Sequence, residues 1–265
     1  MEHRKRPEPI TDFLVDDRGE GVYEITSPPM RFKQYLVIGQ EKALLIDTGF
    51  GLGSLKKVVE GLTDRPLILV NTHGHPDHGG GNAEFGSPFL RPEDHPAYEQ
   101  KCAYETRREE AGHWPIPDAA EKLQHTPPAP IALEEDAVFD LGGRKLRVIH
   151  TPGHTKGSVC IYDEKTGALF TGDNTNEHGV FLDDVWGATV GEYLVSMKKL
   201  RALQPTMLYS GHMPGAVSPD KIDRLIACAE KILAGEKGEF VKSPLSEGWM
   251  VAVDGASLMY PEGKL

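Results

Sequence analysis

Four residues that could bind metal ions lie within six positions of the chain. His73, His75, Asp77 and His78 form the pattern His-x-His-x-Asp-His. Imidazole nitrogens and carboxylate oxygens together suit zinc, iron or manganese. A structural ion takes four ligands, and four donors so close in sequence cannot all serve one tetrahedral ion comfortably. The pattern therefore predicts two ions or a shared arrangement.

The motif directly follows an uninterrupted apolar segment, residues 67–70, which is typical of a strand buried on both faces. A loop that leaves a strand end can direct successive side chains towards one point. Gly74 and the three glycines after His78 permit the tight backbone path that this requires. The sequence therefore predicts a metal-binding loop at the end of a strand.

Three more donors occur in the same kind of context. His154, Asp173 and His212 each come shortly after an apolar segment that reads as a strand. A lone histidine is more often structural than a ligand, but three strand-end donors that follow a metal-binding motif favour the ligand interpretation. We expect all seven side chains to meet at one centre.

These segments, with Asp47 in Leu45-Ile46-Asp47-Thr48-Gly49, resemble the metallo-β-lactamase superfamily over roughly residues 20–235. The resemblance implies an α/β fold, a four-layered αββα sandwich, with metals held between the sheet edges. It gives Asp47 a place behind the ligands, where it would orient a ligand histidine or the loop. It assigns one metal to His73, His75 and His154, the other to Asp77, His78 and His212, and a bridging position to Asp173.

The expected activity is that of a dinuclear metal-dependent hydrolase. Two divalent ions, zinc being expected and iron or manganese being alternatives, would supply a bridging hydroxide that attacks an ester, thioester or lactone-like bond of a small molecule. Asp77 would act in catalysis by orienting the hydroxide or moving its proton. Asp173 stands where the β-lactamases with a cysteine ligand have that thiolate, which argues against antibiotic hydrolysis. The motifs also resemble hydroxyacylglutathione hydrolases, but the short segment after the last predicted helix argues against glutathione thioesters.

Three other functions remain open. The same donors occur in the superfamily's persulfide dioxygenases, which use a single iron. Nucleases of the superfamily, which are phosphodiesterases, share the His-x-His-x-Asp-His loop, but this chain shows no basic patch. A non-catalytic metal-binding module is the third, although a structural site has no need of a bridging carboxylate.

Substrate-binding residues stay unassigned. A polar insertion at about 92–126, which reads as a helix with a loop, could lie over the site, as could 28–33 and 176–184. Lys156 could meet an anionic substrate, although a solvated lysine is the more ordinary interpretation. The insertion offers Tyr98, Tyr104, His113 and Trp114 as wall residues or as packing residues.

Composition limits the remaining possibilities. The chain has 265 residues, 39% of them hydrophobic and 26% charged, which predicts one domain over 1–265 with a real core. A net charge of −11 disfavours nucleic acid as a partner. The charged segment 1–9, with no apolar stretch of signal-peptide or membrane-span length, predicts cytoplasmic residence without a membrane partner. Three well-separated cysteines are given no role, and the oligomeric state is left open, a homodimer included.

The elements that must position the donors follow from periodicity. Residues 21–48 read as an antiparallel meander, followed by a helix with apolar Leu52, Leu55, Val58, Val59 and Leu62. Strands return over 137–171. A helix begins at Thr189, whose capping box includes Glu192, and a second begins with Ser218 as its cap and Pro219 in its first turn. A weakly alternating segment, 248–260, predicts one closing strand.

Overall fold

The computed structural model describes residues 12–28, 30–114, 118–176, 179–242 and 247–265. The segment 1–9 used in the sequence analysis lies outside the described residues, as do parts of 28–33, 92–126 and 176–184. Helices α1–α6 within these ranges are Leu55–Leu62, Pro76–Gly79, His95–Lys101, Tyr104–Gly112, Val190–Ala202 and Asp220–Leu233. Strands β1–β16 are Leu14–Gly19, Val22–Ser27, Phe32–Ile38, Ala43–Ile46, Leu67–Val70, Phe89–Leu90, Ile131–Ala132, Val138–Asp140, Lys145–His150, Val159–Asp163, Ala168–Gly172, Val180–Phe181, Met207–Ser210, Glu239–Lys242, Glu247–Val253 and Ala256–Tyr260.

The described strands form three sheets. The first has seven strands in chain order from β1 to β7; β1–β4 are the predicted antiparallel meander extended by one strand, and β4–β7 are parallel. The second has the order β13-β11-β10-β9-β8 and is antiparallel apart from the β11–β13 pair. The third has the order β12-β16-β15-β14.

Side-chain alternation along the strands explains the layers. Leu44 points into the core between the first two sheets, whereas Leu45 points outward and packs against Leu55 and Val59 of α1. In the second sheet, Val148 faces the shared core, and the next residue, Ile149, faces the outer core formed with α5 and α6. Two sheets therefore lie face to face with helices outside, which confirms the predicted αββα sandwich.

The helix starts were predicted with mixed success. Thr189 does cap α5, since its hydroxyl accepts from the Glu192 amide at 3.2 Å and its own amide donates to the Glu192 carboxylate at 2.8 Å. Ser218 is not the cap of α6, because Pro219 takes that position without a side-chain hydrogen bond. Leu52 lies before α1, because Ser54 caps that helix at Leu55. It instead forms an isolated bridge with Leu123.

The described part of the insertion contains two α-helices, α3 and α4, instead of the single predicted helix. The side chain of Arg107 on α4 is fully buried and donates to four backbone carbonyl oxygens between 2.8 and 2.9 Å, those of Cys102, Phe50, Gln124 and His125. These bonds fasten α4 to the loop after β4 and to the segment that leaves the insertion.

The carboxy-terminal segment also differs from the prediction. Residues 248–260 form a hairpin, β15 and β16, that turns at Asp254 and Gly255, and it joins β14 and β12 in the third sheet. One face of this sheet packs against α6 through Val251 and Leu258. The two strands together cover the outer helix layer, a role that a single closing strand could not fill.

Two other observations concern the chain as a whole. The three cysteines are free and buried. No helix in the described ranges is both long and apolar enough to cross a bilayer. The assignment of residues 1–265 to a single domain stays a prediction.

Candidate metal centre

The seven predicted donors converge at one edge of the two facing sheets. His73 follows β5, His154 follows β9, Asp173 follows β11 and His212 follows β13, while α2 carries Asp77 and His78. The structure places them in two groups, and the donor atoms within each group lie within 4.8 Å of one another. We call His73, His75 and His154 the histidine cluster, and Asp77, His78, Asp173 and His212 the mixed cluster.

The histidine cluster has the geometry of a three-nitrogen site. The ring centroids of its members are 4.8 Å apart in all three pairs, and the planes cross at 77–87°. His75 Nδ1 and His154 Nε2 approach to 2.9 Å. Burial, followed by the neighbouring imidazoles, holds the pKa of His73 well below its usual value, and burial with His75 lowers the pKa of His154 to about 4. Neutral imidazole is the form that binds a metal.

The mixed cluster combines imidazole with carboxylate. His212 Nε2 lies 3.0 Å from Asp173 Oδ2 and 3.3 Å from Asp77 Oδ2, and His78 Nε2 lies 3.2 Å from Asp173 Oδ1. Asp173 also faces the other cluster, since its Oδ2 is 3.8 Å from His154 Nε2. Asp173 is therefore the side chain in position to serve both groups.

In two cluster histidines, the ring nitrogen that faces away from the centre, Nδ1, is fixed by a hydrogen bond. The carbonyl oxygen of Phe181 accepts from His154 Nδ1 at 2.5 Å, and the Asp47 carboxylate accepts from His78 Nδ1 at 2.7 Å. A carbonyl or carboxylate oxygen can only accept, so each Nδ1 carries a proton, and the neutral form of either ring has its lone pair on Nε2. In that form both rings present Nε2 to the centre.

Asp47 lies behind the mixed cluster and beside the loop that carries the motif. Besides His78, its carboxylate accepts from the Thr72 amide at 2.7 Å and from the Thr72 hydroxyl at 2.8 Å. That hydroxyl in turn accepts from His73 Nδ1 at 3.1 Å. Asp47 has φ of 63°, in the left-handed region that aspartate adopts more readily than most residues with a side chain. One buried carboxylate thus contacts both ends of the His-x-His-x-Asp-His loop.

The loops approach one another so closely that position 211 requires glycine. A Cβ on Gly211 would lie 2.4 Å from Asp173 Oδ1 and 2.6 Å from His78 Cε1. Any other residue would therefore push these donors apart. Gly211 precedes His212, and its amide and carbonyl bond to the carbonyl of Gly172 and the amide of Lys33, which fixes the loop.

One observation that does not depend on the motif also indicates that the donor set fits metal ions. Among the described residues, His73 Nε2, His78 Nε2 and Asp173 Oδ1 are buried atoms without a hydrogen-bond partner. Each such atom costs about 1–3 kcal/mol when left unsatisfied. A cation at each cluster would satisfy them.

Several residues at the site were not found from the sequence. Asp94 is buried and accepts from the Gly74 amide, the Thr155 hydroxyl and the Gly157 amide at 2.6–2.9 Å, which ties the two loops of the histidine cluster together. Asp183 contacts His75 Nε2 at 3.2 Å. Neither belongs to a recognisable local motif, since its partners are distant in sequence. The acidic residue before a short turn, at Asp183, is the only local signal.

The predicted wall residues divide into two groups. Tyr98 is a packing residue, buried with its hydroxyl donating to the Pro128 carbonyl. Trp114 is half-buried and packs at 4.3 Å on Phe50, beside Phe32, whose ring lies 5.8 Å from that of His212. Lys156 is exposed, and its amide donates to the Trp186 carbonyl. The structure thus places an aromatic surface next to the mixed cluster.

Comparison with known proteins gives a consistent result. The sequence pattern described as the metallo-beta-lactamase superfamily matches residues 33–212. The chain is 30% identical over 222 residues to the acyl-coenzyme A thioesterase MBLAC2 of Gallus gallus, covering 76% of this chain and 77% of that protein. It is 30% identical over 192 residues to the atrochrysone carboxyl ACP thioesterase AgnL7 of Paecilomyces divaricatus, covering 70% of this chain and 51% of that protein.

A solved structure extends the likeness to three dimensions. TTHA1623, crystallised in a di-iron-bound form, superposes with a TM-score of 0.58 at 28% identity, covering 76% of this chain and 97% of that one. The matched segment 33–212 spans every donor of both clusters. This chain belongs to the metallo-beta-lactamase superfamily.

Proposed function

We propose that the protein is a dinuclear metal-dependent hydrolase that cleaves acyl thioesters of the kind formed by coenzyme A or by acyl carrier proteins. The observation that carries the proposal is the convergence of seven donors into two clusters that share Asp173. The choice of thioester is supported by the relatives, because the similar proteins include thioesterases named for each of these two thiol carriers.

The proposed ligand sets follow the two clusters. His73, His75 and His154 would hold one ion, Asp77, His78 and His212 the other, and Asp173 would contact both. We propose zinc for both, because catalytic zinc is held by imidazole alone or by imidazole with carboxylate, and the two sets offer these two combinations. When bound, such ions lower the pKa of a coordinated water and polarise a carbonyl oxygen.

The protein's own residues do the remaining work. In the reaction, the water oxygen bonds to the carbonyl carbon, the carbon–sulfur bond breaks, and the thiol leaves with a proton. Asp77 lies at the open side of the mixed cluster, half-buried, with Oδ2 within 3.3 Å of His212. We assign to this carboxylate the orientation of the water and the acceptance of its proton.

An apolar surface beside the clusters suits the acyl part of such a substrate. Phe32, Phe50 and Trp114 form a contiguous aromatic group, with ring centroids 4.3–6.4 Å apart, and Phe32 contacts His212. Trp114 is the half-buried member, so it is the one that can offer area to a ligand. We propose that the acyl chain lies against Trp114.

The test combines elemental analysis with a substrate panel. Protein purified without added metal is analysed for zinc, iron and manganese, and is then assayed on acyl-coenzyme A, acyl-carrier thioesters, oxygen esters, lactones, lactams and phosphodiesters. We expect about two zinc ions per chain and thioester hydrolysis above all other activities.

The matched variants are His75→Ala and His125→Ala. His125 is exposed and lies outside both clusters, so its removal should leave metal content and hydrolysis unchanged, whereas His75→Ala should lower both. Full activity in His75→Ala, or oxygen consumption with a single iron and no hydrolysis, would contradict the proposal.

A further inference from the structure

Asp183 lies behind the histidine cluster, in the turn that follows β12. The residue is 7% exposed, and its Oδ2 is 3.2 Å from His75 Nε2. The other oxygen, Oδ1, accepts from the amides of Val185 and Trp186 at 2.8 and 2.7 Å. The two oxygens therefore have separate tasks: one closes the turn and the other faces a candidate ligand.

The backbone of the same turn holds a second ligand. The Asp183 amide donates to the carbonyl of His154 at 3.0 Å, and the Phe181 carbonyl accepts from His154 Nδ1. The Leu182 amide donates to the Met259 carbonyl in β16, which fastens the turn to the third sheet. The turn thus fixes His154 through the backbone and His75 through a side chain.

The turn has little freedom to move away from His75. The Gly187 amide donates to the Asp183 carbonyl at 3.0 Å, and a Cβ on Gly187 would lie 2.3 Å from that carbonyl oxygen. The carboxylate is consequently held at a fixed place by the chain on both sides of it.

We propose that Asp183 is a positioning residue that keeps the proton of His75 on Nε2 and so presents Nδ1 to a metal ion. A carboxylate can only accept a hydrogen bond, so a neutral His75 ring has its proton on Nε2, and Nδ1, the nitrogen 2.9 Å from His154 Nε2, is then the lone-pair donor. With Nδ1–H of His154 already bound to Phe181, two lone pairs face each other at that distance, an arrangement that a cation between them would stabilise. The inference rests on the metal site of the proposed function.

In both clusters, then, a carboxylate fixes the proton of one histidine, but on a different ring nitrogen in each. Asp47 holds the proton of His78 on Nδ1, so that Nε2 is free, while Asp183 holds the proton of His75 on Nε2. Each cluster has one carboxylate–imidazole pair of this kind. Such partners orient ligands, and their loss typically weakens metal affinity about 10- to 100-fold.

Asp183→Asn separates the proposed effect of Asp183 on the His75 proton from its contribution to closing the turn. Asparagine keeps an oxygen for the Val185 and Trp186 amides but turns an NH₂ group towards His75. That group donates to Nε2, so the proton moves to Nδ1. The matched control is Asp184→Asn, since Asp184 is exposed and its carboxylate also accepts from the Val185 amide.

Two measurements test the proposal on the full-length protein. Long-range proton–nitrogen correlation spectra of the metal-free protein report which nitrogen of His75 carries the proton, and competition with a chromophoric chelator reports the affinity for zinc. We expect Nε2–H in the wild type and in Asp184→Asn, and Nδ1–H in Asp183→Asn, with about 10- to 100-fold weaker binding of one zinc ion in the latter.

An unchanged His75 tautomer together with unchanged zinc affinity in Asp183→Asn would overturn the proposal. The spectra need no substrate and no turnover. If zinc binds as expected but thioesters are not hydrolysed, the proposed function fails while the role of Asp183 stands.

Discussion

The two donor clusters differ in charge, and the difference indicates how each would hold an ion. The histidine cluster contains three imidazoles, and burial keeps two of them neutral by lowering the pKa values of His73 and His154. The mixed cluster contains two carboxylates; although burial opposes it, Asp173 and Asp77 raise the pKa of His212 to about 10. The first site therefore depends on the alignment of lone pairs, whereas the second can compensate the charge of a cation directly.

The clusters also differ in what surrounds them. The histidine cluster is backed by the 181–187 turn, which contacts the rings of His154 and His75, and by Asp94, which accepts from the backbone of the loop that carries His73 and His75. In the mixed cluster, Asp47 contacts His78 and Phe32 contacts His212. The histidine cluster therefore has a polar setting, whereas the mixed cluster also has an aromatic neighbour. This asymmetry suggests that metal retention and substrate contact can be altered separately.

Removal of both ions gives the largest expected effect. We expect dialysis against a chelator to abolish hydrolysis, and zinc to restore it, because neither cluster can act without its ion. The far-ultraviolet circular dichroism should remain, since the hydrophobic clusters that form the layers contain none of the seven donors. Collapse of the fold on chelation would instead favour a structural metal module.

Loss of one ligand from each cluster tests whether the two sites are distinct. His75→Ala should retain one ion, held by the mixed cluster, and His212→Ala should retain one ion, held by the histidine cluster. Each change should lower kcat/KM by about 100-fold or more, because a metal that stabilises transition-state charge contributes several kcal/mol. Elemental analysis and steady-state kinetics measure both quantities. Loss of both ions in either variant would show that the clusters are one cooperative site.

Asp47→Asn tests the anchor of the mixed cluster. An amide can still accept from the Thr72 amide, but it cannot accept from every present donor at once. We expect about 10- to 100-fold weaker binding of one ion, and about 1–3 kcal/mol lower free energy of unfolding because a buried polar group loses its partner. Chelator competition and denaturant titration measure these effects, with Asp12→Asn as a control distant in sequence. Wild-type metal affinity in Asp47→Asn would show that Asp47 does not orient a ligand.

Trp114→Ala should give the smallest effect and act on substrate alone. If the acyl chain lies against this side chain, KM for long-chain thioesters should rise about 3- to 10-fold, since a half-buried ring supplies about 1 kcal/mol, the lower end of what an apolar contact is worth. Short-chain thioesters and metal content should be unaffected. An equal effect on all chain lengths would place the acyl chain elsewhere.

The sequence, with the family resemblance that its motifs carry, was sufficient for the layers and for the convergence of the donors. A continuous apolar run marks the strand Ala43–Ile46, and the capping box at Thr189 marks α5, because both signals are local. The His-x-His-x-Asp-His pattern is equally local. That these seven residues bind metal stays a prediction, although their geometry fits it.

The remaining features depend on contacts between distant segments. Asp94 contacts residues that lie 20, 61 and 63 positions away in the sequence, and Asp183, which follows β12, contacts His75 in the loop after β5. No spacing rule could therefore reveal either residue. Ser218 has the residue type of a cap but not the geometry, since α6 begins at Asp220. The hairpin of β15 and β16 was not predicted because its hydrophobic alternation is weak and the surface that it packs against belongs to α6.

The buried guanidinium of Arg107 has a consequence for how substrates reach the metals. Swinging the α3–α4 insertion away from the loop after β4 would take the Phe50 carbonyl from a buried, permanently charged guanidinium. The insertion, which carries Trp114, should therefore stay closed during turnover and act as a fixed rim. Substrates would then be selected by how well they fit a rim of constant shape, and not by a gating motion.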